Sequence, residues 1–282
     1  MIPAPFEYVR PPDLDGVLRA LSDHEGDAKI LSGGYSLLPL LKLRLAAADK
    51  LVDIGRLDEL KGYRPQPDGG LEMGALTTYA DWQAATTFPG VAEAIDHIAD
   101  VQVRNRGTIG GSIAHADPAS DFPAIALAFE GSAVLRGPGG ERVVPLDGFF
   151  EGPFQTQIQP NEILVAIRRG PVPQGAGFAY AKLAQPASGY SIVGIAAVVV
   201  KTGGSITHAR IGVTGVHEHP YRAHDVESAL EGSDGSADAI AAAAAHVTDD
   251  AEAGSDIHAD AEYRAAMAVV YTRRAIEAAL GR

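Results

Sequence analysis

Short apolar runs alternate with amphipathic segments along the first 170 residues of the chain. Runs with the length and composition of short strands lie at residues 28–31, 51–54, 71–75 and 162–168. Segments with apolar residues at helical spacing lie at residues 14–21, 36–45, 77–85, 91–99 and 123–130. Asp13 has the position of a helix N-cap, and Thr78 and Asp81 have the spacing of a capping box. The pattern predicts an α+β chain.

A hairpin and a further group of strands and helices complete the pattern. Residues 132–136 and 141–145 flank Gly-Pro-Gly-Gly and predict a β-hairpin. Two prolines and two glycines at 170–175 indicate a domain boundary. Strands are then predicted at 177–183, 192–201 and 206–216, and helices at 226–230, 237–247 and 260–280. The C-terminal third is therefore expected to be an α+β module, a small antiparallel sheet with a helical layer.

Composition narrows the classes of function. The net charge of −13 argues against nucleic acid and anionic membrane surfaces as partners, because both would repel the chain. The absence of cysteine excludes disulfides and any thiolate-bound zinc or iron–sulfur cluster within the chain. A redox protein of this composition must use an organic cofactor or a partner's cluster. We see no signal peptide, and no apolar run reaches the roughly 18 residues of a membrane span, so we expect a cytoplasmic protein with no membrane insertion.

Two glycine-rich segments carry the candidate chemistry. Residues 32–36 read Ser-Gly-Gly-Tyr-Ser, and residues 108–112 read Thr-Ile-Gly-Gly-Ser within what we interpret as a loop over 105–121. Glycine lets backbone N–H groups approach a phosphate closely. Two such segments, about 75 residues apart, predict a ligand with two phosphates held from both sides. The glycine spacing does not fit the GxGxxG of a dinucleotide-binding Rossmann fold.

Other candidate residues give weaker evidence for a functional site. His217, Glu218 and His219 lack the spacing of a known metal site, so we predict none. No nucleophile with a neighbouring base is evident, and we assign no catalytic residue. Arg104 and Arg106 flank the second glycine-rich segment, where they either anchor it to carboxylates or face an acidic partner; the sequence does not decide between these roles.

The sequence resembles the medium, FAD-binding subunit of the molybdenum hydroxylases of the carbon monoxide dehydrogenase type, and more distantly the FAD domain of xanthine dehydrogenases. The resemblance rests on both glycine-rich segments, on QVRNRGTIGG, and on residues 2–8, 135–150, 162–168, 208–216 and 261–276. It implies a two-subdomain, PCMH-like FAD-binding fold. The implied domains are an N-terminal subdomain at 1–57, a middle subdomain at 58–172 and a C-terminal α+β domain at 173–282.

The resemblance also implies a function. FAD in this chain would take electrons from [2Fe–2S] clusters of a small partner chain and pass them to an external acceptor. A large partner chain would hold the molybdenum cofactor, in a dimer of heterotrimers. The alternatives are a stand-alone FAD-dependent oxidoreductase acting on its own substrate and a nucleotide-binding or assembly protein that has lost FAD. Intact glycine-rich segments argue against the latter.

The resemblance assigns cofactor contacts residue by residue. The first group is Ile30, Leu31, Ser32, Gly33, Gly34, Tyr35, Ser36 and Leu37. The second group is Gly107, Thr108, Ile109, Gly110, Gly111, Ser112, Ala114 and His115. Further contacts are Ile98, Asp121, Leu164, Lys182 and Tyr190.

Several of these residues also have ordinary structural interpretations. Asp121 would accept hydrogen bonds from FAD hydroxyls, but it also begins a helix, where a carboxylate is favoured. Lys182 would favour anionic reduced flavin, or is a solvated strand lysine. Tyr190 would cover the flavin ring, or is a turn residue. Leu164 also fits a core strand, and Ser112 stands where the family more often has Asn or Asp.

Overall fold

The computed structural model describes residues 1–23 and 28–281. Residues 24–27 and 282, which belong to the predicted domains 1–57 and 173–282, lie outside the described part. The helices are α1 Leu14–Ser22, α2 Leu37–Leu43, α3 Tyr79–Ala85, α4 Val91–Asp96, α5 Val101–Arg104, α6 Ile109–His115, α7 Asp121–Ala128, α8 His224–Leu230, α9 Ala237–Ala244 and α10 Ala261–Leu280. The strands are β1 Glu7–Val9, β2 Ala28–Leu31, β3 Lys50–Asp53, β4 Tyr63–Pro65, β5 Leu71–Gly74, β6 Ser132–Gly137, β7 Gly140–Pro145, β8 Phe150–Gly152, β9 Gln155–Thr156, β10 Ile163–Arg169, β11 Gly177–Ala184, β12 Ser191–Thr202, β13 Ser205–Thr214 and β14 Tyr221–Arg222.

The N-terminal region is a small parallel sheet with strand order β1-β3-β2. The proline-rich N-terminal arm is extended, and its segment β1 pairs with β3. Asp13 caps α1 as the sequence predicts, because its carboxylate accepts a hydrogen bond from the N–H of Gly16 at 2.7 Å. The apolar face of α1, with Val17 and Leu21, packs onto this sheet. The first glycine-rich segment follows β2 directly.

The middle region is a five-stranded antiparallel sheet of order β4-β5-β10-β6-β7, with the predicted hairpin at β6 and β7. The predicted capping box at Thr78 and Asp81 is confirmed at the start of α3. Trp82 and Phe122 pack edge to face at 5.3 Å in the core beneath the helices. The sheet thus shares one apolar core with α3, α4, α6 and α7.

Helix α7 joins the middle region to the C-terminal sheet. All its residues are buried, as expected for a helix that is apolar all round. It packs on β12 and β13, and a side chain at Gly212 of β13 would overlap the carbonyl oxygen of Ala124. Glycine therefore allows the sheet to lie directly against the helix whose first residue is Asp121.

The C-terminal region is an antiparallel sheet of order β11-β12-β13-β14 covered by α8, α9 and α10, so the predicted sheet with a helical layer is confirmed. Arg264 of α10 is buried and donates to the carbonyl oxygen of Ile192 at 2.9 Å. Within residues 1–23 and 28–281, no helix is long and apolar enough to cross a membrane.

Candidate functional site

A cleft with a volume of about 1440 Å³ opens between the N-terminal and middle regions, and the C-terminal sheet contributes to its wall. All the residues assigned to cofactor contacts line it except Leu31 and Ile109. The side chain of Ile109 is buried in the core, and its N–H donates to the carbonyl oxygen of Thr77 at 3.0 Å. Leu31 belongs to β2, where its carbonyl oxygen accepts from the N–H of Ile54 at 3.1 Å. These two residues therefore shape the cleft from behind.

The first glycine-rich segment presents backbone donors to the cleft. Within the described part of the chain, the N–H groups of Gly33, Gly34, Tyr35 and Ser36 have no hydrogen-bond acceptor, and all four residues line the cleft. Gly34 has a φ of +86°, a conformation that glycine adopts without strain. Consecutive free N–H groups at such a turn form an anion-binding concavity. This segment is therefore suited to a phosphate group.

The second glycine-rich segment is not the open loop that we expected over 105–121. Thr108 is the N-cap of α6, and its Oγ1 accepts from the N–H of Gly111 at 3.1 Å. The N–H of Gly110 donates to the carbonyl oxygen of Ala75 at 3.0 Å, and a side chain at Gly110 would overlap Ala75. These glycines serve close packing and capping, because their own N–H groups already have acceptors within the chain. The expectation that the N–H groups of Gly110 and Gly111 face phosphate is corrected accordingly.

Hydroxyl groups link the two segments across the cleft. Ser32 Oγ lies 2.8 Å from Thr108 Oγ1, so the segments meet at this point. Ser112 Oγ lies 2.7 Å from Ser120 Oγ, and the sequence had not identified Ser120 as a site residue. Its signal was only its place before a helix. The N–H groups at the start of α6 already donate within the chain, so the hydroxyl groups supply the hydrogen-bond donors on this side of the cleft.

Asp121 is the centre of a buried polar cluster on the C-terminal side of the cleft. Its Oδ1 accepts from Tyr180 Oη at 2.5 Å and from Ser191 Oγ at 2.7 Å. Lys182 Nζ lies 2.8 Å from the same oxygen and 2.9 Å from Oδ2. Burial, followed by the charge of Asp121, raises the pKa of Tyr180, so this phenol stays a hydrogen-bond donor. The interpretation of Lys182 as a solvated strand lysine is wrong, since its side chain is only 3% exposed.

Tyr180 and Ser191 were missed by sequence reasoning. Tyr180 and Lys182 are two residues apart in β11, so their side chains lie on the same face of the strand. The sequence does not show that α7 supplies the carboxylate that both side chains contact. Ser191 is the first residue of β12, the strand that pairs with β11. Asp121 thus has three internal donors; its contact with cofactor hydroxyls stays a prediction.

The outer wall of the cleft is aromatic and apolar. Tyr190 follows the tight turn at 185–189 and is 47% exposed. Partial burial and the charges of Asp117 and Asp121 raise its pKa, so the phenol stays neutral. Leu164 lines the wall with little exposure. Its two interpretations, core strand and cleft wall, therefore hold together.

His115 lies at another part of the cleft lining. Its ring centroid is 5.0 Å from that of Phe154. Burial lowers the pKa of His115, with the charge of Asp117 as the smaller, opposing effect, so the imidazole is neutral near pH 7. His217, which follows β13 and does not line the cleft, has its Nδ1 2.7 Å from the carbonyl oxygen of Glu252. Across residues 1–23 and 28–281, no three His, Cys, Asp or Glu side chains are grouped so as to hold a metal ion.

Comparison with known proteins matches two family models in succession. Residues 4–173 match the FAD binding domain in molybdopterin dehydrogenase, and residues 178–279 match the CO dehydrogenase flavoprotein C-terminal domain. The chain is 41% identical to the carbon monoxide dehydrogenase medium chain of Hydrogenophaga pseudoflava, over 100% of this chain and 99% of the relative. It is 34% identical to the glyceraldehyde dehydrogenase medium chain of Sulfolobus acidocaldarius, over 98% of this chain and 99% of the relative.

Solved structures agree with these sequence relatives. A chain of carbon monoxide dehydrogenase from Hydrogenophaga pseudoflava, which lacks the Mo-pyranopterin moiety of its cofactor, superposes with a TM-score of 0.96 at 42% identity, covering 100% of this chain and 99% of that chain. A chain of quinoline 2-oxidoreductase from Pseudomonas putida 86 gives 0.91 at 33% identity, covering 100% and 99%. The free N–H groups of Gly33 to Ser36 and the hydroxyls beside them fit the diphosphate of FAD. The chain belongs to the molybdenum hydroxylase family as its FAD-binding medium subunit, and it is an oxidoreductase subunit of a molybdenum dehydrogenase.

Proposed function

We propose that this chain relays electrons from [2Fe–2S] clusters of a small partner chain, through FAD in the cleft, to an external acceptor. A large partner chain carries the molybdenum cofactor, and the assembly is a dimer of heterotrimers. The observation that carries the proposal is the cleft itself, which is lined by the free N–H groups at Gly33–Ser36 together with Thr108 and Ser112. When bound, FAD supplies the redox chemistry, which joins two-electron and one-electron transfer.

The residues of the chain position and tune this cofactor. The N–H groups of Gly33–Ser36 and the hydroxyls of Ser32 and Thr108 would hold the diphosphate. Leu164 supplies an apolar wall, and Tyr190, which lines the same cleft, would cover the flavin. Lys182 places a cation at the wall, held by Asp121, and this charge favours the anionic reduced cofactor. No residue of this chain is required to move a proton.

The composition supports the division of labour among chains. Cysteine is absent from the whole sequence, so iron–sulfur clusters must be held elsewhere. The relatives are named as medium chains or subunits of enzymes for carbon monoxide, glyceraldehyde and nicotine. Their substrates differ, yet each relative is 33–41% identical to this chain over nearly its full length. A shared flavoprotein in enzymes with such different substrates supports assigning substrate choice to the large chain. The domain limits at 57 and 172 and the cytoplasmic location remain predictions of the sequence.

Anaerobic reduction of the intact complex tests the proposal. The complex is purified from its source, and its chains and metals are identified by native mass spectrometry. The substrate that the large chain oxidises is then mixed rapidly with the complex. We expect the iron–sulfur absorbance to bleach with or before the flavin absorbance, and the flavin to be reoxidised by the acceptor. A chain that purifies alone and oxidises an organic donor by itself would contradict the relay and support the stand-alone oxidoreductase.

A further inference from the structure

The turn that follows α4 is held by two cations. Arg104 Nη1 donates to the carbonyl oxygens of Ile98 and Ala99, each at 3.0 Å, and lies 3.4 Å from that of Asp96. Lys182 Nζ donates to the carbonyl oxygen of the remaining residue, His97, at 2.8 Å. Four consecutive carbonyl oxygens thus face the side chains of Arg104 and Lys182.

This turn needs hydrogen-bond donors from elsewhere in the chain because it lies at the C-terminal end of α4. The last carbonyl groups of a helix have no partners within the helix and carry its negative dipole end, which cations stabilise. Ala99 has a φ of +45°, a left-handed conformation that is unfavourable for a residue other than glycine. Surrounding contacts must therefore hold the turn in this shape.

The turn lines the cleft, whereas Arg104 does not. Asp96, His97, Ile98 and Ala99 all belong to the cleft wall, next to Lys182. The side chain of Arg104 is 17% exposed and is also 3.7 Å from the carboxylate of Asp96. Arg104 therefore reaches the cleft only through the backbone that it holds.

We propose that Arg104 is a positioning residue for bound FAD, which fixes the Asp96–Ala99 turn from behind while Lys182 fixes it from inside the cleft. This inference rests on the proposed function, since FAD is the ligand whose site the turn shapes. It assigns Arg104 to an anchoring role and not to a partner's acidic surface.

Arg106 is the matched control. It lies two residues further along, is exposed, and has no side-chain hydrogen bond or ion pair within the described residues. Replacement of either arginine by methionine removes one positive charge near the cleft and keeps an unbranched side chain. Any effect of net charge alone must therefore appear in both variants.

The test compares R104M, R104K and R106M in the full chain with the wild type. FAD dissociation constants are measured by flavin fluorescence, bound-flavin absorbance spectra are recorded, and hydrogen exchange of residues 96–100 is followed without FAD. We expect R104M to bind FAD about tenfold more weakly, which corresponds to about 1.4 kcal/mol. R104K keeps the charge but loses the guanidinium fork, so its affinity should fall between those of R104M and the wild type.

The accompanying readouts separate positioning from general loss of structure. In R104M, exchange should accelerate at 96–100 and not in the core strands, and the spectrum of bound flavin should shift. R106M should match the wild type in every measurement. Equal affinities and spectra for R104M and R106M would overturn the inference, as would acceleration of exchange throughout R104M. A wild-type chain that binds no FAD would overturn the proposed function itself, and with it the ligand assigned here.

Discussion

The ammonium group of Lys182 lies 2.8 Å from Oδ1 and 2.9 Å from Oδ2 of Asp121, and both side chains are almost completely buried. Buried charges persist where an opposite charge and hydrogen bonds replace water. Asp121 begins α7 and Lys182 lies in β11, so the pair joins the middle region to the C-terminal sheet at the wall of the cleft. Docking of that sheet and the electrostatics of the proposed cofactor site therefore depend on the same contact.

Replacing Lys182 by methionine should affect both properties. K182M leaves the carboxylate of Asp121 buried without its cation, which should lower the free energy of unfolding by about 3–5 kcal/mol. It should also lower the midpoint potential of bound FAD, because a cation near the flavin favours the reduced anion. Urea unfolding and redox titration measure the two effects.

The double variant K182M/D121N separates stability from redox tuning. Removing both charges should restore much of the unfolding free energy, since no unpaired buried charge remains. The cation is still missing, so the potential should stay below that of the wild type. A K182M protein with the wild-type potential would contradict the electrostatic role of Lys182.

Gly33 should be essential for bringing the two glycine-rich segments together. A side chain there would overlap the carbonyl oxygen of Arg106, and neither backbone can yield without moving its segment. We expect G33A to weaken FAD binding by at least about tenfold, or about 1.4 kcal/mol, in a fluorescence titration. Gly139, in a hairpin turn with no atoms near its added Cβ, gives the control G139A, which should bind like the wild type. Equal affinity of G33A and G139A would show that the close approach is unnecessary.

The hydroxyls of Ser32 and Thr108 should differ in what they stabilise. Thr108 caps α6, so T108A should lose about 1 kcal/mol of stability together with a donor for the cofactor. Ser32 caps no helix, so S32A should mainly weaken FAD binding, by roughly tenfold if one hydrogen bond to a charged group of about 1.5 kcal/mol is lost. Thermal unfolding and FAD titration of both variants check this division. A T108A protein that is less stable but binds FAD normally would limit Thr108 to its capping role.

His115 should make stability depend on pH. Burial lowers its pKa in the folded chain, whereas the unfolded imidazole titrates near about 6.5. Below that value the unfolded chain binds more protons than the folded chain, so the free energy of unfolding falls as pH falls toward the folded pKa. Urea unfolding at about pH 7.5 and about pH 5.5, on either side of the unfolded value, should show a smaller loss in H115Q than in the wild type. His208 is unchanged in both proteins. If the free energy of unfolding falls equally in H115Q and the wild type, His115 does not contribute to the pH dependence of stability.

The sequence predicts the local features of the fold well, because they depend on neighbours along the chain. The cap at Asp13, the capping box at Thr78 and the hairpin of β6 and β7 all follow from short-range spacing. The pairing of β1 with β3 was not predicted, because a proline-rich arm gives no periodic signal for its partner strand.

The residues assigned to the candidate site lie together in the structure, although their contact with the cofactor stays a prediction. Resemblance places most of the assigned residues around one cleft, and the structure shows that they do line it. The glycines at 110 and 111 nevertheless serve packing and capping, since Ala75 and Thr108 accept their N–H groups. The donors to Asp121 come from β11 and β12, about 60 to 70 residues away, and only tertiary packing reveals them.

Hydrogen exchange of the purified chain with and without FAD shows whether one FAD site is built from all three regions. We expect FAD to bind with one molecule per chain and to slow exchange together at residues 32–37, 96–100 and 187–190, which line the cleft. Exchange in the α8 and α9 helices, on the opposite side of the C-terminal sheet from α7, should stay unchanged. Protection confined to one of the cleft segments, or no binding of FAD, would contradict a single cofactor site built from all three regions.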